Sequence, residues 1–209
     1  AIQQTFATQV AIDMSNPVAK TENGVEITVS EGHVTANHGS TEGVCYVVTG
    51  TTANGSLTID GKTNFELNLN SVDITNPTST AIDIETKKAA FIVLAGTNKL
   101  TDGTTEDHKG TLYGKGKLLF SGTGSLDIYG TYNNGIHTKS YVVIDKGVNL
   151  YVNASVNHGI KASDAVVING GIINIESSGE GAKGINCEKG ILINGGRTPV
   201  VCTGNGEIA

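Results

Sequence analysis

Gly135-Ile136-His137-Thr138-Lys139, Gly159-Ile160-Lys161-Ala162-Ser163 and Gly184-Ile185-Asn186-Cys187-Glu188 begin alike and lie 24 and 25 residues apart. A weaker copy, Thr111-Leu112-Tyr113-Gly114-Lys115, precedes the first by 24 residues. Ala81-Ile82-Asp83-Ile84-Glu85 precedes that copy by 30, and the extra six fit an insertion around Thr104 to Lys109. A second motif keeps the same beat: Leu67-Asn68-Leu69, Ile92-Val93-Leu94, Leu118-Leu119-Phe120, Val142-Val143-Ile144, Val166-Val167-Ile168 and Ile191-Leu192-Ile193. A third short run follows in most units, as in Val72-Asp73-Ile74, Leu126-Asp127-Ile128, Leu150-Tyr151-Val152 and Ile173-Asn174-Ile175. Each unit therefore carries three short segments of alternating apolar residues, separated by turn residues. That is a strand period, not a helical one.

Three strands per unit with no helix between them do not suit a doubly wound sheet, whose parallel crossovers need a dozen or more residues. Coils that stack can pair each strand with its counterpart ~4.8 Å away. One coil cannot bury its apolar face, whereas a stack buries a continuous core. A sandwich or meander also uses short strands but does not require near-identical units. The expected fold is all-β: a right-handed, single-stranded parallel β-helix of about six coils of 24–26 residues. Its inward ladders would run Ile82, Leu112, Ile136, Ile160, Ile185 on one face. On another they would run Leu69, Leu94, Phe120, Ile144, Ile168, Ile193. Residues 1–50 keep the strand character but lose the beat, as atypical terminal repeats do. They are assigned as N-terminal extension, cap and first coil, and residues 51–209 as repeats, in a single domain overall.

Composition agrees. Gly contributes 28 of 209 residues, Trp is absent, and only 5% of residues are aromatic. Tight turns and β-branched strands are what such a chain makes. The net charge of −6 and the lack of any Lys/Arg run argue against a nucleic-acid partner. No apolar stretch is long enough to span a membrane. The three cysteines have no metal spacing and read mainly as small buried residues.

In a coil stack, equivalent outward residues form columns. One holds Asp83, Tyr113, His137, Lys161 and Asn186, and two residues on a second holds Glu85, Lys115, Lys139, Ser163 and Glu188. The residue before each repeat Gly gives Gly110, Asn134, His158 and Lys183. A regular array of polar groups suits an extended polymer such as a polysaccharide. The expected ligand face uses Asn134, His137, Lys139, His158, Lys161, Lys183 and Asn186. A different column, Val93, Leu119, Val143, Val167 and Leu192, is apolar throughout. Such a strip is an interface or is covered by another segment; residues 1–20, with Phe6, Val10, Ile12 and Met14, are the candidate cover, and another subunit is the alternative.

Catalytic signals are sparse: GxSxG, HExxH and P-loop patterns are missing. A polysaccharide lyase would need a base, for which Lys139 or Lys161 could serve, beside a calcium site of several carboxylates. Few acids stand near either lysine. A third expectation concerns the ends. The final coil, from Gly184, shows no cap after Val200 and Val201, so either missing C-terminal sequence or another subunit is expected to cover that edge; in the second case residues 1–20 would add a strand end to end and build a filament.

The runs CYVVTGT at 45–51, LNLNSVDIT at 67–75 and LAGTNKLTDG at 94–103 resemble, in order and spacing, the bacterial carbohydrate-binding domain family related to pectate-lyase-like β-helix proteins. So do the units YNNGIHTKSYVVI, VNHGIKASDAVVI and AKGINCEKGILI. The resemblance implies a secreted or cell-surface, calcium-associated β-helix that binds plant-type polysaccharides, including acidic pectic chains, without established catalysis. The family's turns read Asp-Gly-Ile-Lys. Here the Asp position holds Asn134, His158 and Lys183, and of His137, Lys161 and Asn186 only Lys161 keeps the family's lysine. The leading expectation is non-catalytic polysaccharide binding, with a self-assembling structural subunit and a lyase as alternatives.

Overall fold

A computed structural model describes residues 5–204. Residues 1–4 and 205–209, part of the expected N-terminal extension and of the last coil, lie outside the described residues. The chain is a right-handed parallel β-helix of about seven turns. It has no helix among the described residues.

The first face stacks His33–Asn37, Ser56–Asp60, Ile82–Ile84, Gly110–Gly114, Asn134–Thr138, Ile160–Ala162 and Ile185–Cys187, all parallel. The second and third faces merge into one 13-stranded sheet because two long strands, Val44–Thr52 and Phe65–Thr75, run around the corner between them. The corner is turned at Ser71, whose φ is 57°. The residue paired with Leu126 on the third face would be apolar in a simple ladder, but it is Asn98, fully buried. Its Oδ1 accepts the Val72 N–H at 2.9 Å, and its Nδ2 donates to Ala95 O at 3.1 Å and Ser125 O at 3.0 Å. The bend leaves these backbone groups without strand partners, and the amide satisfies them.

The first inward ladder is as the repeat predicts: Ile82, Leu112, Ile136, Ile160 and Ile185 are Cα partners in succession. The glycine that opens each unit has a packing reason. A Cβ on Gly135, Gly159 or Gly184 would lie 2.0–2.3 Å from Val152, Ile175 or Val200, the inward residues of the third face. Only a residue without a side chain lets the corner close this tightly.

The second ladder differs from expectation in one place. Phe120 pairs with Ile92, not Leu94, and continues through Ile144, Ile168 and Ile193. Leu94 pairs with Leu69 on one side and Gly122 on the other. A shift of two residues keeps every side chain on its face, so alternation alone does not detect it. The same slip moves Val93 out of the apolar strip. Val93 stands between Asn68 and Ser121, and Phe91 takes its place beside Leu119.

At the N-terminal end, Lys20–Glu22, Val25–Ser30 and His33–Asn37 form an antiparallel meander. Its two-residue turns are Asn23-Gly24 and Glu31-Gly32, each with positive φ at both positions, the geometry of type I′ hairpins. Thr8–Asp13 adds a parallel strand to the second face beside Val44–Thr49. Val10, Ile12 and Met14 therefore point into the core, at most 4% exposed, instead of covering the apolar strip. Phe6 alone reaches the strip, with its ring centroid 5.0 Å from that of Phe91. The three cysteines form no disulfide.

Candidate functional site

The outward column of the first face is built as expected. Asp83, Tyr113, His137, Lys161 and Asn186 are consecutive Cα partners. The Tyr113 ring meets His137 edge-on, with centroids 5.4 Å apart. His158 Nδ1 accepts the Lys183 N–H at 2.9 Å, and its Nε2 lies 2.6 Å from the Asn186 amide. A neutral ring that accepts at Nδ1 carries its proton at Nε2, from which it donates to the Asn186 amide when that amide is turned to present its oxygen. The structure thus brings His158 onto the His137 column, although the two histidines sit on opposite sides of the repeat Gly. Burial pushes His137 down to about 4, helped by Lys161, Lys109 and Lys139. Burial likewise pushes His158 down to about 4, helped by Lys161 and Lys183. At neutral pH both rings are uncharged hydrogen-bonding groups among ammonium groups.

Asn134 does not belong to this surface. It is 2% exposed, and its Nδ2 donates to Lys109 O at 2.8 Å and Asn133 Oδ1 at 2.9 Å. A short amide at the position before the glycine turns inward to satisfy the neighbouring backbone, whereas the longer His158 and Lys183 stay half-exposed.

The lysines of the chain divide into paired and unpaired groups. Lys20, Lys99, Lys115 and Lys189 each pair with an acid. Ten other basic side chains have no carboxylate partner among the described residues, and four of them, Lys109, Lys139, Lys161 and Lys183, surround the two histidines. Four unneutralised cations on one side of a chain of net charge −6 make a local positive field against an acidic background.

A groove of about 500 Å³ opens on the same face towards the N-terminal end. Its floor is Ser56, Thr58, Asp83 and Tyr113, and residues 76–80 and 106–109 wall it. The second wall is the insertion that breaks the repeat. It is held by a buried network: Asp102, 3% exposed, receives His108 Nε2 at 2.8 Å, Thr131 N at 2.6 Å and Thr131 Oγ1 at 2.8 Å. His108 also stacks on Tyr132, with centroids 4.7 Å apart. Sequence reading located the insertion but not the groove, because the rest of its lining belongs to earlier coils.

A model of the carbohydrate-binding domain-containing protein family matches residues 30–208. The chain belongs to that family. No curated protein matches it. Among solved structures it is similar to the polysaccharide lyase-like protein from C. thermocellum, determined as a gadolinium derivative. The TM-score is 0.74 at 25% sequence identity, over 95% of this chain and 92% of that one.

For a carbohydrate-binding domain, the turns before the repeat glycines are a poor calcium site. They offer a buried amide at Asn134, an imidazole at His158 and an ammonium at Lys183, where a hard cation needs several carboxylate or carbonyl oxygens. On the same face, Glu85 beside Asp83 is engaged by Lys115. The apolar strip of this carbohydrate-binding domain is continuous from Phe91 through Leu119, Val143 and Val167 to Leu192. No helix among the described residues is long and apolar enough to cross a membrane.

Proposed function

We propose that this protein binds an acidic polysaccharide without cleaving it, as a secreted or cell-surface domain. The polymer lies along the first face, over Tyr113, His137, Lys161 and Asn186, with Lys109, Lys139 and Lys183 beside it and His158 bracing the row. The observation that carries this reading is the set of four lysines without acidic partners, gathered on one face of a carbohydrate-binding family member. An ammonium group left unpaired on an acidic protein is available to a carboxylate brought by the ligand. The neutral histidines and the Asn186 amide are suited to hydroxyl groups, and the repeat of the coil gives contacts at regular intervals along a chain.

The test is calorimetric titration with polygalacturonate at low and high salt. Lys139→Ala combined with Lys161→Ala should weaken binding by at least about tenfold, since each charge-assisted hydrogen bond contributes roughly 1.5–3 kcal/mol. Added salt should weaken the parent protein as well. A double variant that binds as tightly as the parent would sink the proposal. The lyase alternative is favoured by the description of the C. thermocellum neighbour and uses the same two lysines. The titrated mixture is therefore also followed in the ultraviolet for unsaturated products, and a sustained rise would overturn the non-catalytic part of the reading.

A further inference from the structure

We infer that His137 makes ligand binding at the row proton-dependent: its Nε2 is a hydrogen-bond acceptor in neutral solution and, once protonated, a further cation for the carboxylates of an acidic chain. The coupling to a ligand rests on the proposed function; the contrast between the two histidines that assigns it to His137 does not.

Two rings stand on the row with different hydrogen bonds. His137 Nδ1 lies 3.4 Å from Lys109 O. A carbonyl oxygen only accepts, so Nδ1 carries the proton and Nε2 keeps the lone pair. Nε2 has no hydrogen-bond partner among the described residues, and it is not shut off from solvent. A proton can therefore be added at Nε2 with the Lys109 contact kept. His158 is bonded the other way round. Its Nδ1 accepts the Lys183 N–H at 2.9 Å, and a proton there would force that contact open. Of the two rings, His137 is the one that can change charge without loosening the stack of coils.

The His137 ring is also held in place. One coil back stands Gly110, where an added Cβ would come within 3.2 Å of the His137 Cβ. The edge-on Tyr113 ring closes a second side. With Lys109 O against Nδ1, the ring is set before a ligand arrives, which spares the ligand the cost of ordering it.

Burial disfavours a positive charge on this ring, and three lysines add to it: Lys161 from the next coil, Lys109 from the insertion and Lys139 just beyond its own strand. A ligand carboxylate offsets the field of those lysines. The ring then takes up its proton in the complex at a pH where the free ring is neutral. Binding and protonation favour each other by the same factor, as linked equilibria must. Asp83, two rungs away on the same column, also changes charge in mildly acid solution, held up at about 6 by burial and Glu85. Its neutralisation favours an anion in the same sense, so its share has to be separated by mutation.

Nitrogen NMR of the imidazoles in the full chain reads the tautomer and the titration midpoint. Calorimetric titration with tetragalacturonate at pH 7.5 and pH 5, in two buffers of different ionisation enthalpy, counts the protons. His137 should carry its proton on Nδ1 in the free protein, and its midpoint should rise by at least about one pH unit in the complex. Binding should take up roughly half a proton at pH 5 and almost none at pH 7.5, and it should tighten at least about threefold between the two. His137→Gln should lose most of the uptake, and Asp83→Asn should keep most of it. The inference is overturned if the free ring carries its proton on Nε2, if its midpoint does not move in the complex, if tetragalacturonate binds at pH 5 without proton uptake, or if the uptake survives in His137→Gln. Absence of binding at both pH values would instead overturn the proposed function, and the proton coupling with it.

Discussion

His158 accepts the backbone N–H of Lys183 through Nδ1 at 2.9 Å, so a side chain of one coil completes the hydrogen bonding of the next. The ring can do this only while Nδ1 is unprotonated. Protonation would therefore break a contact between coils and place a cation beside Lys161 and Lys183.

This sets an acid limit on stability. His137 and His158 bind protons near 6.5 when unfolded but only near 4 when folded. The unfolded state takes up more protons in between, so their contribution is complete above pH 6.5 and is lost as pH falls towards 4. Buried His38 is shifted in the same direction, chiefly by burial. The melting temperature should drop over this window. The His137→Gln, His158→Gln double variant should show a shallower drop, and an unchanged slope would contradict the assignment.

Asp83 acts with the opposite sign. Its folded-state value, up at about 6, lies above its ordinary one, so the stability it contributes is full below the ordinary carboxylate range and is lost as pH rises through 6. Asp83→Asn should raise the melting temperature at pH 7.5, and the gain should vanish near pH 4. Thermal melts at both pH values decide it.

Asn98→Leu would look like an improvement to anyone extending the apolar ladder of the third face. The amide, however, satisfies Val72 N–H, Ala95 O and Ser125 O where the chain turns its corner. The variant should lose about 2–4 kcal/mol, a fall in melting temperature on the order of 10 °C for a domain of this size. A melt equal to the parent's would show that the corner does not depend on the amide.

Asp102→Ala removes the acceptor for His108 and Thr131 and should cost about 2–4 kcal/mol, because buried donors are left without a partner. Much of that loss should be local. Amide exchange should accelerate first across residues 103–109, and limited proteolysis should cut there before it cuts any strand. Uniform acceleration along the whole chain would show that the insertion is part of the core and not a separately held wall.

The repeat made the coil architecture legible because a glycine, an inward isoleucine and an outward polar residue recur together. Each has a structural cause that survives without side-chain detail. The Phe120 register was not legible, since Leu94 and Ile92 face the same way and either satisfies the alternation. Val93 was misplaced for the same reason. The lysine and histidine row followed directly from the columns, but the burial of Asn134 depends on a three-dimensional fact, the proximity of Lys109 O. The groove was hidden because no local pattern announces that residues 76–80 and 106–109 lie side by side above the first face.

The stacking of Asp83, Tyr113, His137, Lys161 and Asn186 one per coil means that the length of the outer surface is quantised. A change that adds or removes a whole coil alters the column by one rung while leaving the register of every other rung intact, whereas a change of a few residues within a strand shifts all the rungs beyond it. On the proposed function, valency would be adjusted by whole coils, with point changes left to decide which sugar each rung prefers.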